Sequence, residues 1–184
     1  MGVGDTIKLN LDPDYFPLME GYKLTYRHTS TEFEGTETVE IVLTDLRAFR
    51  DDAQATAVLT RTRNGKPGQQ ETYAVRKTAR QVTAEGGVLK LRRMEFPLPL
   101  VPGKKWLEEP NVSEIAALDA PIEVPAGMFR RCLRVNTLLA GGDGGSTIRY
   151  YAPGIGYVYE EYSGEDWGSR VELVSFHVPP IRRA

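Results

Sequence analysis

The sequence predicts an all-β fold: a single curved antiparallel sheet or half-open barrel made of meander hairpins, with little helix. Three observations lead to it. Turn-forming clusters recur at short intervals, at Asn64-Gly65 with Pro67-Gly68, Glu85-Gly86-Gly87, Pro102-Gly103, Pro125-Ala126-Gly127, Gly141 to Gly145, Pro153-Gly154 and Ser163-Gly164, which is the spacing of meanders, sandwiches and barrels. Between these clusters apolar and polar residues alternate with a period of two. Eighteen Gly and twelve Pro in 184 residues suit a chain that turns often.

Residues 1–14 read as an extended N-terminal arm, residues 179–184 as a C-terminal tail, and the whole chain as one β-rich domain. In TETVEIVLTD, Val39, Ile41 and Leu43 share one face, and Thr38, Glu40, Val42 and Thr44 the other. DLRAFRDDAQA has helix-friendly residues, but Asp51-Asp52 mark a turn between two strands. NVSEIAALDA fits two turns of helix from an Asn111 cap or a strand leading into PIEVPAG, and we read it as strand. In MFRRCLRVNTLL, alternation places Phe129, Leu133 and Val135 opposite Arg130, Cys132, Arg134 and Asn136. In VELVSFHV both faces carry apolar residues. The segments YFPLMEGYKLTY and EFPLPLVPGKKW share an aromatic-Pro-Leu opening, a Gly and a following aromatic, a weak twofold repeat that delivers Tyr22 and Trp106 into the core.

At this length a single domain buries roughly two-thirds of its unfolded surface, so no disulfide or metal is needed for folding. The lone cysteine, Cys132, rules out an internal disulfide. No apolar run of about 18 residues exists, which leaves no helical transmembrane segment. MGVGDTIKLN lacks the basic and apolar regions of a signal peptide, which predicts a cytoplasmic chain or a mature form with a new start. Met1 to Thr6 matches the short myristoylation pattern, and Asn111-Val112-Ser113 is a glycosylation sequon. Net charge is −2, unevenly spread: residues 47–105 sum to +8, residues 1–46 to −6 and residues 106–184 to −4. The basic stretch lacks the interleaved aromatics of a base-stacking platform. We therefore expect no nucleic-acid partner and expect these cations to pair with acidic residues across the sheet.

YFPLMEGYKLTY, VPAGMFRRCLRV, YYAPGIGYVYEEY and VELVSF together resemble a loose group of uncharacterised bacterial β-rich proteins. Its members carry aromatic-Pro-Leu followed by Gly and an aromatic, then V-P-A-G-x-F-x-x-C, then Y-Y-A-P-G-x-G-x-V. The resemblance runs from Tyr15 to Phe176 and implies a curved antiparallel sheet of the half-barrel kind. It also implies a place in the bacterial cell envelope or periplasm where the native N-terminus is longer. It carries over no catalytic residue. The motifs themselves read as turn signals, with Pro fixing φ and Gly free to take positive φ.

Cys132 is the candidate reactive thiol, because Arg130 and Arg134 on its face would favour the thiolate. Only His28 and His177 could serve it as an imidazole base. Two histidines and one cysteine far apart make no transition-metal site, and no cofactor motif is present. Glu160, Glu161, Glu165 and Asp166 form an acidic turn without EF-hand spacing. Gly141 to Ser146 lacks the Lys of a phosphate loop and reads as a hairpin tip. Tyr150, Tyr157, Tyr159 and Trp106 are the candidate ligand-binding aromatics, with Tyr157 and Tyr159 on one face.

These features point first to a non-catalytic module binding an apolar ligand, lipid or peptide in the concavity of the sheet. The alternatives are a structural or protein-interaction domain of the envelope, and an enzyme using Cys132. The partner is accordingly an apolar small molecule or a protein.

Overall fold

The dipeptide Asn64-Gly65 shows how local chemistry builds this molecule. Both residues take positive φ, 52° and 72°, as a two-residue hairpin loop requires, and Arg63 pairs with Lys66 across it. Val124 pairs with Gly127 around Pro125-Ala126, and Ala152 with Gly156 around Pro153 to Ile155. Phe49 pairs with Asp52, so the expected acidic turn falls on Arg50-Asp51.

The computed structural model describes residues 13–141 and 144–180. Most of the N-terminal arm, the myristoylation pattern, Gly142, Asp143 and residues 181–184 lie outside the described residues. Twelve strands follow in order: β1 (Lys23–Ser30), β2 (Phe33–Phe49), β3 (Asp52–Arg63), β4 (Lys66–Lys77), β5 (Gln81–Ala84) and β6 (Arg93–Pro97), then β7 (Lys105–Glu108), β8 (Asn111–Val124), β9 (Gly127–Leu139), β10 (Gly145–Ala152), β11 (Gly156–Gly164) and β12 (Gly168–His177). No helix occurs among the described residues, so none is long and apolar enough to cross a membrane. NVSEIAALDA lies within β8.

All twelve strands form one antiparallel sheet, ordered β6-β5-β4-β3-β2-β1-β12-β11-β10-β9-β8-β7. Two six-stranded meanders are therefore joined where β1 pairs with β12, and the sheet curls into a nearly closed barrel with β6 and β7 at its free edges. Across that seam the Glu108 carboxylate accepts the Met94 main-chain N–H at 3.0 and 3.1 Å. Unpaired edges invite pairing with other chains, and here a side chain occupies one of the exposed donors.

Alternation buries one face of most strands, β4 and edge strand β7 being largely exposed. Leu24, Tyr26, Val39, Ile41, Leu43, Ala57, Leu59, Val75, Val171 and Leu173 form the larger core cluster. Phe96, Ile115, Leu133, Val135 and Tyr151 belong to a second. Residues 13–22 cross one end of the barrel. Gly154 donates its N–H to the Asp14 carbonyl, Gly21 donates to Leu43, and the Lys77 ammonium bonds the Phe16 carbonyl. These contacts span strands from both meanders, and Phe16, Leu18 and Met19 pack on the core. The Tyr15, Tyr22 and Tyr26 hydroxyls donate to the Arg131, Ile155 and Tyr157 carbonyls at 2.7–2.8 Å. Each buries a ring while satisfying its polar tip. Gly156 has φ +104°, and an added Cβ there would lie 3.4 Å from Pro17, so the plug and the β10–β11 turn need this residue bare.

The twofold-repeat reading is corrected by the structure. Tyr22 is buried, whereas Trp106, on edge strand β7, packs half-buried against the second core cluster with its indole N–H turned to Glu108 at 3.3 Å. The first aromatic-Pro-Leu lies in the plug and the second runs along β6. The two segments therefore occupy unlike environments.

Candidate functional site

The end of the barrel opposite the plug gathers buried polar side chains. There His28 of β1 faces Glu37 of β2, Ser113 of β8 faces Thr137 of β9, and Thr137 faces Thr147 of β10. All of these side chains are buried. One step further in, Arg149 of β10 faces Glu160 of β11, and Arg93 and Glu95 enter from β6.

These last four residues form a charged network inside the barrel. Arg93 makes a fork of two 2.8 Å bonds to Glu160 and a 3.1 Å bond from Nε to Glu95. The Tyr157 hydroxyl donates to Glu160 at 2.7 Å, and the Tyr151 hydroxyl donates to Glu95. Burial by itself would raise the Glu160 carboxyl, but the Arg93 charge, with Arg149 behind it, outweighs burial and holds it below the ordinary carboxylate value. Burial pushes the Tyr151 and Tyr157 hydroxyls well above 10, so both remain protonated donors. Seven of the thirteen cations between 47 and 105 are answered by carboxylates: Arg61 and Arg63 by Glu37, Arg76 by Asp52, Lys77 by Asp14, Lys90 by Glu71, Arg92 by Glu85, and Arg93 by Glu95 and Glu160.

At the polar end His28 Nε2 lies 2.7 Å from Ser169 Oγ, and its Nδ1 lies 3.1 Å from Glu37. Chemically this is a serine–imidazole–carboxylate relay, and the separations of 9 and 141 residues left no mark in the sequence. A serine nucleophile also needs substrate access. Here Phe33 packs edge-on against His28 at 5.3 Å, and Arg63 covers Phe33 at 4.0 Å. Ser169 borders a surface recess of about 350 Å³ that neither His28 nor Glu37 lines. The relay instead ties β12, β1 and β2 together. Burial lowers the His28 pKa below 6.5, although its bond to Glu37 opposes the shift. The unfolded chain then takes up this proton first, and stability is lost as pH falls below about 6.5. We expect chemical denaturation at pH 5 and pH 7.5 to show that loss in wild type and a smaller one in His28→Gln. An equal pH dependence in both proteins would contradict the assignment.

The structure also corrects the local picture around Cys132. Arg131 takes a left-handed φ of 53°, and the β8–β9 register shifts on both sides of the Ala120–Cys132 pair. Alternation therefore breaks, and Cys132 and Leu133 are both wholly buried, in different core clusters. The sulfur's hydrogen bond goes to the Arg130 carbonyl, at 3.9 Å, and both histidines are elsewhere: His28 bonds Glu37 and Ser169, and His177 lies at the exposed end of β12. Burial pushes the thiol up to about 11, opposite to the shift a nucleophile needs. At pH 8 its thiolate fraction is about 200-fold below that of a free thiol. Iodoacetamide should leave the native protein unmodified over hours and label it fully in denaturant, as read by intact mass.

The four candidate aromatics do not meet at one site. A bulge between Tyr150 and Tyr151 pairs Tyr151 with Tyr157 and Tyr150 with Tyr159. Tyr157 turns inward against Tyr26 and Tyr151. Tyr159 stacks edge-on with Tyr150 at 5.7 Å, and its hydroxyl donates to Glu161, which also meets the exposed Arg170. Trp106 sits on β7 against the second core cluster. Within the expected acidic turn, Glu160 points inward while Glu161 serves Tyr159 and Arg170. Among the described residues no group of three His, Cys, Asp or Glu is placed to hold a metal ion.

The apolar interior holds a cavity of about 60 Å³ between Tyr22, Tyr26, Tyr73, Val88 and Tyr157. Small-molecule sites run to about 300–1,000 Å³, so this cavity is small for the apolar ligand that the sequence suggested. A recess of about 480 Å³ opens instead at the polar end beside the seam, where Arg93 and Arg149 meet Ser113, Thr137 and Thr147, with Glu108 and Glu109 also in its lining. Neither the aromatics nor Cys132 line it.

No family model matches the chain, and no curated protein matches it. Solved structures do. One, from Bacteroides fragilis and described as a "putative exported protein with YmcC-like fold", superposes with a TM-score of 0.68 at 15% identity over 91% of this chain and 100% of its own. Another, a "putative lipoprotein" from Parabacteroides distasonis, gives 0.66 at 12% identity over 90% of this chain and 99% of its own. What is shared at such low identity is architecture, and the nearly closed twelve-stranded barrel of this protein is the YmcC-like fold.

Proposed function

We propose that this protein is a non-catalytic binding module of the bacterial cell envelope, and that its ligand sits in the polar recess beside the barrel seam. The lining carries the reading: recesses of about 350, 480 and 590 Å³ are all of small-molecule size, but of these only the one beside the seam is lined by a buried side chain with an unpartnered donor, Arg149. The envelope location is supported by the exported and lipoprotein descriptions of the two structural neighbours and by the resemblance seen in the sequence motifs.

A ligand that binds only the folded state raises the melting temperature by mass action. Thermal melts against neutral saccharides, sugar acids, sugar phosphates and short peptides, each at about 10 mM, should show a rise with at least one class. That rise should be lost when Thr137→Trp fills the recess. No rise with any class, or a rise unaffected by the filling substitution, would overturn the reading. Fractionation of the producing bacterium should place the protein with the envelope, and a wholly cytosolic distribution would remove the location.

A second reading, a protein-interaction domain, is favoured by one feature. Phe176 lies 6.5 Å from Phe129, and Met128, Val174 and Val178 near them are exposed. If this patch pairs copies of the chain, light scattering at high concentration should report a dimer and Phe176→Glu a monomer.

A further inference from the structure

We infer that the recess recognises an oxyanion, the carboxylate or phosphate of a small hydroxyl-bearing molecule, and that Arg149 is the group that reads it. The inference rests on the binding-module reading above and names the chemistry of its ligand.

Arg149 is 1% exposed and is the largest wholly buried side chain in the described structure. An arginine stays protonated in any protein environment and carries five N–H donors. Among the described residues its guanidinium makes no hydrogen bond. Nε is buried without a partner, and the one ion pair, Nη1 to Glu95 Oε2, is 3.8 Å long. The interior carboxylates are committed elsewhere. Glu160 receives the Arg93 fork and the Tyr157 hydroxyl, and Glu95 receives Arg93 Nε and the Tyr151 hydroxyl. Arg93 therefore satisfies both acids, and Arg149 is left as a desolvated cation with unused donors. A buried orphan of this kind is costly, and native structures hold few of them.

The recess supplies the missing partner's place. Arg149 and Arg93 line it together, with Arg92 also present. Ser113, Thr137 and Thr147 form a rung across three neighbouring strands, in register as Ser113–Thr137 and Thr137–Thr147. Arg149 follows two residues after Thr147, on the same buried face of β10. Ser113 and Thr137 bond each other at 2.7 Å, while Thr147 has no side-chain partner among the described hydrogen bonds. An oxyanion against Arg149 can accept its two-pronged donation and the Thr147 hydroxyl. The Glu109 carboxylate and the Asn111 amide suit hydroxyl groups on the remainder of the ligand.

Isothermal titration of the intact chain with D-glucuronate, glucose 6-phosphate, inorganic phosphate and neutral glucose tests this. We expect glucuronate or glucose 6-phosphate to bind at least tenfold more tightly than glucose, and the better of the two identifies carboxylate or phosphate as the anion. Arg149→Lys should weaken that binding about 10- to 100-fold, the size of a lost charge-assisted pair. Arg149→Met should abolish it, and because Arg149 also pairs with Glu95 at 3.8 Å the variant's melting temperature is not the deciding readout. A purely structural arginine would give a lower melting temperature with binding unchanged. Should Arg149→Met fail to fold, Arg149→Lys and Thr147→Val still decide, since each must weaken the anion more than glucose. Equal binding of glucose and the acids, or anion binding indifferent to residue 149, overturns the oxyanion and leaves the binding module standing. Binding of inorganic phosphate alone, insensitive to these substitutions, marks an adventitious ion only and also overturns it. Failure of all four probes together with the wider panel above removes both.

Discussion

Arg93→Ala is expected to destabilise the protein by about 3–5 kcal/mol, the usual cost of stripping the partner from a buried ion. Glu160 is wholly buried, and both of its oxygens are bonded to this one guanidinium. Without Arg93 it must stay charged against desolvation or take up a proton, and Glu95 loses its Nε bond at the same time. Denaturant titration at pH 7.5 measures the loss. The pair Arg93→Met/Glu160→Leu should recover much of it, because exchanging a whole buried pair for apolar volume is often neutral. A loss below about 1 kcal/mol in the single variant would mean that the network is solvated like a surface pair. The pH profile follows from the same geometry. The folded-state pKa of Glu160 is depressed, so its stabilisation is complete above about 4.5 and fades as pH falls through the lower folded value. Wild type should lose this component on acidification, and the double variant should not.

Phe96→Ala should cost a comparable amount, about 3–5 kcal/mol for an aromatic removed from a packed core, or roughly 6–20 °C in melting temperature for a chain of this size. Phe96 is 2% exposed and meets Tyr151 edge-on at 5.1 Å. It sits on β6, which has a backbone partner on one side alone, the four-residue β5. Across the seam β6 is held by side chains: Phe96 in the core, Glu95 and Arg93 in the network, and Glu108 on Met94. Hydrogen exchange should therefore show more than a global loss, with the β6 amides opening first while β1, β2 and β12 keep their protection. Uniform loss across all strands would show that the seam is no weaker than the rest of the barrel.

Much of the architecture is legible in the amino-acid sequence. Asn64-Gly65, Pro125-Ala126-Gly127 and Pro153-Gly154 each close a hairpin where their turn chemistry puts one, and the inward faces of β1, β2 and β3 follow the period-two alternation. The charge imbalance resolves in part in the same way, with seven of its thirteen central cations meeting carboxylates. The recess is not legible at all. Its residues come from the segment before β6 through to β10, and none belongs to a recognisable motif. Nor is Arg149, since an arginine two residues from Thr147 on a strand looks like any surface cation.

The amino-acid sequence alone determined the all-β class, most of the places where the chain turns, although Pro67-Gly68 falls inside β4, and the face that each regular strand buries. Those properties depend on φ preferences and on a period of two, which act within a few residues. Tertiary structure alone decided which buried groups meet. The bulges at Arg131 and Tyr150 flip side chains that strict alternation puts elsewhere, burying Cys132 and separating Tyr157 from Tyr159. Arg93 reaches Glu160 over 67 residues, and His28 reaches Ser169 over 141. Such meetings depend on the registers accumulated around the barrel, where one shifted pair moves every later contact.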